Sequence, residues 1–170
     1  MKVINLWGPP GSGKSTVAAG LFYRMKMQDY NVELISEFAK DVTWEGHHNI
    51  FLDQLYIFAQ QNRKLERLRG KVDYAINDSP LLMQLAYCPE GYYDKFAALV
   101  KEVWDSYDNA NILLQRTHAY RQAGRWHTEA QSNEVEAEIR DILRFYDQPH
   151  HFINDGDPVD VIIESVINDL

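Results

Sequence analysis

Short, nearly unbroken apolar runs recur along the chain: KVINLW (2–7), NVELIS (31–36), VDYAIN (72–77), NILLQ (111–115) and HHFIN (150–154). Runs of this length, bounded by Gly, Pro, Asn or Asp, read as buried strands. Between them the apolar residues fall at helical spacing. KSTVAAGLFYRMKMQDY (14–30) carries Val17, Leu21 and Phe22, and a long helix from about Asn49 to Arg69, stopped by Gly70, presents Leu52, Leu55, Phe58 and Ala59. LLMQLAY (81–87) reads as a short helical piece, and DKFAALVKEVWDSY (94–107) places Phe96, Leu99, Val100, Val103 and Trp104 on a core face. SNEVEAEIRDILRFY (132–146) is a further helix, and a closing one runs to Leu170, with Asp157 as N-cap and Pro158 as its first residue. EFAKDVTWEGHH (37–48) and the polar stretch 116–131 read as loops. Regular alternation of strand and helix predicts an α/β fold, a five-stranded parallel sheet covered by helices on both faces.

Length adds that the 170 residues suit one domain spanning 1–170. No apolar run is long enough to cross a bilayer, so no membrane is expected, and MKVINLWGPPG breaks into glycine and proline before a secretory signal could form. A cytoplasmic location is the expectation. The single cysteine, Cys88, has no partner for an internal disulfide and reads as a buried, inert thiol. A net charge of −8 disfavours an extended nucleic-acid surface. It leaves room for a local groove, because cations gather at Arg63, Lys64, Arg67, Arg69 and Lys71 and again at Arg116, Arg121 and Arg125.

The chemistry begins directly behind the first strand. Gly8, Gly13, Lys14 and Ser15 satisfy G-x-x-x-x-G-K-[ST], a phosphate-binding loop between a strand and a helix. Gly8, Pro9, Pro10, Gly11, Ser12, Gly13, Lys14, Ser15 and Thr16 are therefore expected to hold the phosphates of ATP. Glycines let backbone N–H groups turn toward an anion, the helix start adds its positive end, Lys14 reaches the outer phosphates and Ser15 is a ligand for Mg2+. A dinucleotide-binding loop fits less well, since the G-x-G starting at Gly11 has Thr16 as its sixth residue. Asp78, just past the third strand, is the expected acidic partner of the magnesium.

RTHAYRQAGRWHTEAQS (116–132) joins three arginines to few apolar residues between a strand and a helix, the makings of an arginine-rich lid over about 116–131. Arg121 and Arg125 are the candidates for gripping a transferring phosphoryl group, whereas Arg116 at the strand end suits a structural pair. Glu37, leaving the second strand at the same edge, is the candidate proton acceptor, with Asp41 as rival. The pairs His47–His48 and His150–His151 lack a convincing metal-ligand spacing.

The order of phosphate loop, strand-end Glu37, Asp78 and arginine-rich lid resembles the nucleoside and nucleotide kinase group of P-loop proteins over essentially the whole chain. In deoxyribonucleoside kinases a Glu ending the second strand acts as base and is followed by a Trp, to which Glu37 and Trp44 are similar. Their Glu-Arg-Ser pattern after the third strand is here Asp78-Ser79-Pro80, so their sugar contacts do not carry over. More narrowly, DQLYIFAQQNRKLERLRGKVDYAINDSPLL (53–82) resembles small bacteriophage P-loop kinases that phosphorylate 5-hydroxymethyluracil within DNA. That resemblance implies a hydroxymethyl acceptor in modified DNA, a host-cytoplasm setting, stacking by Trp44, Tyr56 or Phe58, and backbone contact by the 63–71 cations. The alternatives are a kinase of free nucleosides or nucleotides, and a P-loop ATPase acting as a switch.

Overall fold

The computed structural model describes residues 1–117, 119–121, 128–154 and 156–167. Five strands, β1 (Lys2–Trp7), β2 (Val32–Ile35), β3 (Tyr74–Asn77), β4 (Asp108–Leu114) and β5 (His151–Ile153), form one sheet in the order β2-β3-β1-β4-β5. All four pairings are parallel, as the strand–helix alternation predicts. Among the described residues six α-helices connect or flank them: α1 (Lys14–Met27), α2 (Phe38–Glu45), α3 (Gln54–Glu66), α4 (Phe96–Asp105), α5 (Glu129–Phe145) and α6 (Pro158–Ile162). A 3-10 helix spans Leu81–Tyr87, and a π-helical turn, Ile163–Ile167, extends α6.

Successive side chains of a strand point to opposite faces, so β1 feeds two cores. Ile4 and Leu6 pack with Ala18, Leu21 and Met25 of α1 and with Ile162 of α6. Val3 and Trp7 join Phe58 and Leu65 of α3, Val100 and Trp104 of α4, and Ile139 and Leu143 of α5. Trp7 is fully buried; its Nε1 donates to Asn111 Oδ1 at 2.9 Å and its ring meets Trp104 edge-on at 5.7 Å. The second face carries a line of amides as well. Asn5 stands in register with Asn77 on one side and Asn111 on the other, and Asn5, Asn77 and Asn111 are all buried.

Three expectations change. The 37–48 segment is no loop: α2 occupies most of it, closed by Gly46 at φ 73°, whose N–H donates to Thr43 O. With Val42 as its single buried residue, α2 is too short to display a period. The 49–69 helix is broken. A 3-10 turn, His48–Leu52, precedes Asp53, whose carboxylate accepts from Tyr56 N at 3.1 Å and starts α3 afresh. Its buried face is Gln54, Ile57, Phe58, Gln61 and Leu65, whereas Leu52 is 70% exposed and Leu55 41%. Two glutamines hold core positions here, which a hydropathy count reads as surface. On α4, Phe96, Val100 and Trp104 are core as expected, but Leu99 is exposed.

The shifted buried face of the 48–66 segment has a measurable consequence. Ile57→Ala should cost about 2–5 kcal/mol of unfolding free energy, as emptied core sites do, and Leu52→Ala should stay within about 0.5 kcal/mol. Urea melts of both variants check this, and a large loss at Leu52 would restore the sequence-derived face.

Candidate active site

β1 lies at the centre of the sheet, and the chain turns sharply at its carboxyl end. A Cβ on Gly8, at φ 149°, would stand 2.5 Å from Ser12 Oγ and 2.8 Å from Leu114 O, so only glycine lets the loop fold back across β4. Gly13, at φ 92°, opens α1 in the left-handed region with no side-chain cap. The first N–H groups of a 14-residue helix are thus left to the site rather than to a capping oxygen. Lys14 is 8% exposed, and its Nζ donates across the loop to Gly8 O at 2.7 Å and Pro9 O at 3.1 Å. Ser132 at the start of α5 braces the loop from outside, donating to Pro10 O at 2.8 Å. Ser15 and Thr16 are exposed beyond it, whereas Ser12 Oγ is buried and unpartnered.

The neighbouring strand ends bring two carboxylates beside this ammonium. Asp78 follows β3 and is 4% exposed; its N–H donates to Ile35 O, which sets it between β3 and β2. Burial raises its pKa, against the lowering pull of Lys14, a hydrogen bond from Ser15 and the charge of Lys40. Its Oδ1 is buried without a hydrogen-bond partner. Glu37 leaves β2 at the N-cap position of α2. Its partly buried carboxyl is likewise raised, first by desolvation, with Lys14 and Lys40 opposing and Asp78 and Asp41 adding to the rise.

A cavity of about 460 Å3 is lined by Lys14 and Glu37; Asp78 is not a lining residue, but its neighbour Ser79 is. Pro10, Gly11, Gly13, Lys14, Ser15 and Thr16 form its phosphate-loop wall, and Glu37, Lys40 and Trp44 of the β2–α2 region form another. The floor is amide and aromatic: Gln54 from α3, and Gln84 and Tyr87 from the 3-10 helix after β3. Gln84 is 3% exposed and its Nε2 donates to Ser79 Oγ. Gln54 is 2% exposed; its Nε2 donates to Phe51 O, but its Oε1 is buried and unpaired. An orphaned buried carbonyl oxygen in a cavity wall is an acceptor available to a guest's donor group. Burial and the Glu37 charge push the Tyr87 hydroxyl up, so it stays a neutral donor across ordinary pH.

Sequence reasoning singled out none of Gln54, Gln84, Tyr87 or Lys40. Two glutamines in helical segments and a tyrosine before a cysteine carry no spacing signal; the fold alone brings them to one chamber. Asp41, the rival of Glu37, pairs with Lys64 at 3.3 Å and is not a lining residue of the cavity. Of the three suggested stacking rings, Phe58 is core at 4% exposed, Tyr56 is partly exposed against Phe38, and Trp44 stands 70% exposed on the cavity lip. The 63–71 cations are partly committed within the fold. Lys64 holds Ser36 and Asp41, while Arg69 holds Glu66 and Ser106 and lies over the Tyr107 ring.

The end of the segment expected as a lid, 116–131, is helical. α5 begins at Glu129 behind a capping box in which Thr128 and Gln131 satisfy each other, so 128–131 belongs to that helix. Arg116 is structural: it bonds Ser132 Oγ and Asn133 Oδ1, approaches Glu129 at 3.8 Å and stacks near Tyr120. Arg121 is exposed, and Arg125 lies outside the described residues. His47 meets Glu45 at 3.4 Å and His150 bonds Gln148 O; among the described residues no cluster of three or more His, Cys, Asp or Glu could hold a metal. The Cys88 thiol is pushed up to about 11 by burial, which fits an inert group.

A strand, an open phosphate loop and a helix, with carboxylates on the adjacent strand ends, define the P-loop kinase-like fold. A model of the AAA domain family AAA_28 matches residues 3–160, and the chain belongs to that family. Among solved structures it is similar to deoxyadenosine kinase from M. mycoides, solved with dCMP and a flexible dCDP: TM-score 0.61, 19% identity, covering 99% of this chain and 98% of that one. Thymidylate kinase from Ehrlichia chaffeensis gives 0.59 and 18%, covering 99% and 97%. The NadR protein, in complex with NAD and AMP-PNP, gives 0.69 and 15%, covering 96% of this chain and 49% of that one. A comparison with curated proteins finds no match. Among the described residues no helix is long and apolar enough to cross a membrane.

The tight approach at Gly8 makes a direct prediction. Gly8→Ala should displace the loop and lower stability by about 1–3 kcal/mol, the range of strained-backbone substitutions. Thermal melts read the stability loss, and a wild-type melt would mean that the loop has room the geometry denies.

Proposed function

We propose that this chain is an ATP-dependent kinase that transfers the γ-phosphate to a hydroxyl of a nucleoside-like acceptor. The observation that carries the reading is the cluster of Lys14, Asp78 and Glu37, which act on one another electrostatically at the strand ends, beside a cavity lined by Lys14, Glu37, Gln54, Gln84, Tyr87 and Trp44. The phosphate loop binds the ATP phosphates through its N–H groups, and Lys14 exchanges its loop carbonyls for phosphate oxygens. The Ser15 hydroxyl, which bonds the Asp78 carboxyl, and the unpartnered Oδ1 of Asp78 are adjacent hard oxygen donors, which fits magnesium. Bound there, the ion would neutralise charge on the outer phosphates.

In the reaction the acceptor oxygen forms a bond to the γ-phosphorus, the bond to the β,γ-bridging oxygen breaks, and ADP leaves with that electron pair. The acceptor's proton passes to the Glu37 carboxylate. Arg121 and Arg125 are proposed to close over the transferring group, excluding water. Gln54 Oε1 serves as the acceptor-side hydrogen-bond partner, and Trp44 as a stacking face for its base.

The favoured acceptor is a free nucleoside or nucleotide, because Lys64 and Arg69, occupied within the fold, weaken the case for a cationic track along a DNA backbone. A hydroxymethylated pyrimidine in DNA is the second reading. It is favoured by the exposure of Trp44 and Leu52 on the cavity lip, where an extruded base could stack. Labelled ATP offered with free nucleosides, nucleotides, unmodified DNA and hydroxymethyluracil-containing DNA separates these readings. Label confined to DNA reverses the preference, and ATP turnover that no acceptor stimulates overturns the kinase reading.

The base assignment has its own test. Glu37→Gln should lower kcat about 10²–10⁴-fold, the usual range for a general base, with KM for ATP nearly unchanged. Because the Glu37 pKa is raised, the acid limb of the wild-type rate profile should fall above the ordinary glutamate range, with activity lost as pH drops through it. That limb should vanish in Glu37→Gln. If Asp41→Asn shows this behaviour instead, the two roles exchange.

A further inference from the structure

We propose that Gln61 is a positioning residue for phosphoryl transfer: from the buried face of α3 it clamps the backbone on both sides of Glu37 and ties that turn to the strand ends bearing Asp78 and the phosphate loop. The inference rests on the kinase reading, with Glu37 as proton acceptor.

Glu37 sits where β2 gives way to α2, and its side chain makes no capping bond to that helix. The turn is held from outside. Gln61 is 1% exposed, and its Oε1 accepts from Phe38 N at 3.0 Å. Its Nε2 donates to Ser36 O at 3.4 Å and to Asn77 Oδ1 at 3.0 Å. One side chain therefore grips the residue before Glu37 and the residue after it. Lys64, three residues further along α3, adds bonds from Nζ to Ser36 O at 3.1 Å and Ser36 Oγ at 3.3 Å.

The clamp is anchored across the sheet. Asn77, directly before Asp78, donates to Asn5 Oδ1 at 3.0 Å; Asn5, on the strand that runs into the phosphate loop, donates to Asn109 Oδ1 at 2.9 Å. Asn109 ends the line by donating to Trp104 O and Tyr107 O. Every amide donates in the same direction, so the acceptor and donor ends of Gln61 are fixed by the network. Methionine would fill the same volume without these bonds. A buried amide here is explained by the turn it holds: reacting groups misplaced by about 1 Å can lose about 10²-fold in rate.

The test compares Gln61→Met and Lys64→Met, each alone and combined with Glu37→Gln, by steady-state kinetics and by amide hydrogen exchange at Phe38. Gln61→Met should lower kcat about 10- to 100-fold, leave KM for ATP within about twofold, and speed exchange at Phe38. If Gln61 acts through Glu37, most of that loss disappears in the Glu37→Gln background, a non-additivity that general loosening of the fold would not produce. Lys64→Met, a partly exposed site that should fold normally, should show a smaller loss with the same non-additivity. Unchanged kcat in both variants, or losses that multiply with that of Glu37→Gln, overturns the clamp and leaves the kinase reading standing. If Gln61→Met does not fold, the Lys64→Met cycle decides. A wild-type chain that binds ATP but phosphorylates no acceptor overturns the kinase reading, and the clamp with it.

Discussion

The carboxyl edge of this sheet is organised around one buried positive charge. An ammonium taken out of water is costly unless hydrogen-bond acceptors or opposite charge replace its hydration. At Lys14 the replacements are the carbonyls of Gly8 and Pro9, turned inward because the loop passes close to β4, and the carboxylates of Asp78 and Glu37. The need runs the other way as well. Both carboxylates are raised by desolvation and lowered by Lys14, so each group makes the burial of the others tolerable. A site of this kind is intact only when β1, β2 and β3 end side by side.

That requirement explains the polar layer on the α3–α5 face of the sheet. A line of asparagines inside a hydrophobic core is destabilising if any member goes unpaired, and each here finds a partner: Asn5 with Asn77 and Asn109, and Asn111 with Trp7 and Pro149 O. Directional bonds specify the register of neighbouring strands more sharply than packing, which tolerates small slides. The carboxyl edge thus inherits its alignment from amide groups in the sheet just below it. Gln61 extends the same layer from the sheet to α3.

The cavity differs in character from one end to the other. Backbone donors and a lysine form its loop wall, while single buried amides, a tyrosine and an exposed tryptophan form the far chamber. The first surface suits any polyphosphate; the second selects by a few hydrogen bonds and a stacking face. The loop wall is accordingly set by local backbone geometry, and the far chamber by residues whose types, taken singly, are unremarkable.

The phosphate loop, the parallel sheet and the positions of Asp78 and Glu37 were legible in the sequence, because each is set locally. A loop that turns in left-handed backbone needs glycine at Gly8 and Gly13 whatever surrounds it, and a strand buried on both faces is mostly apolar, here with single asparagines paired across the sheet. What depended on long-range contact was not legible. The helix α2 shows too few core residues to have a period, and Asp53 interrupts a run that composition alone would continue. Gln54 and Gln61 face inward because partners from other elements satisfy Gln61 and a cavity lies open to Gln54, so the tertiary structure shifted the face that hydropathy assigned to α3, keeping Phe58 but turning Leu55 outward. The same applies to charge: a cationic cluster in sequence became, at Lys64, a brace for the turn that carries Glu37. The sequence by itself determined where phosphate chemistry could occur, through backbone geometry written in glycines. Only the tertiary structure decided which polar side chains meet around it, because a hydrogen bond between distant residues leaves no periodic trace in either.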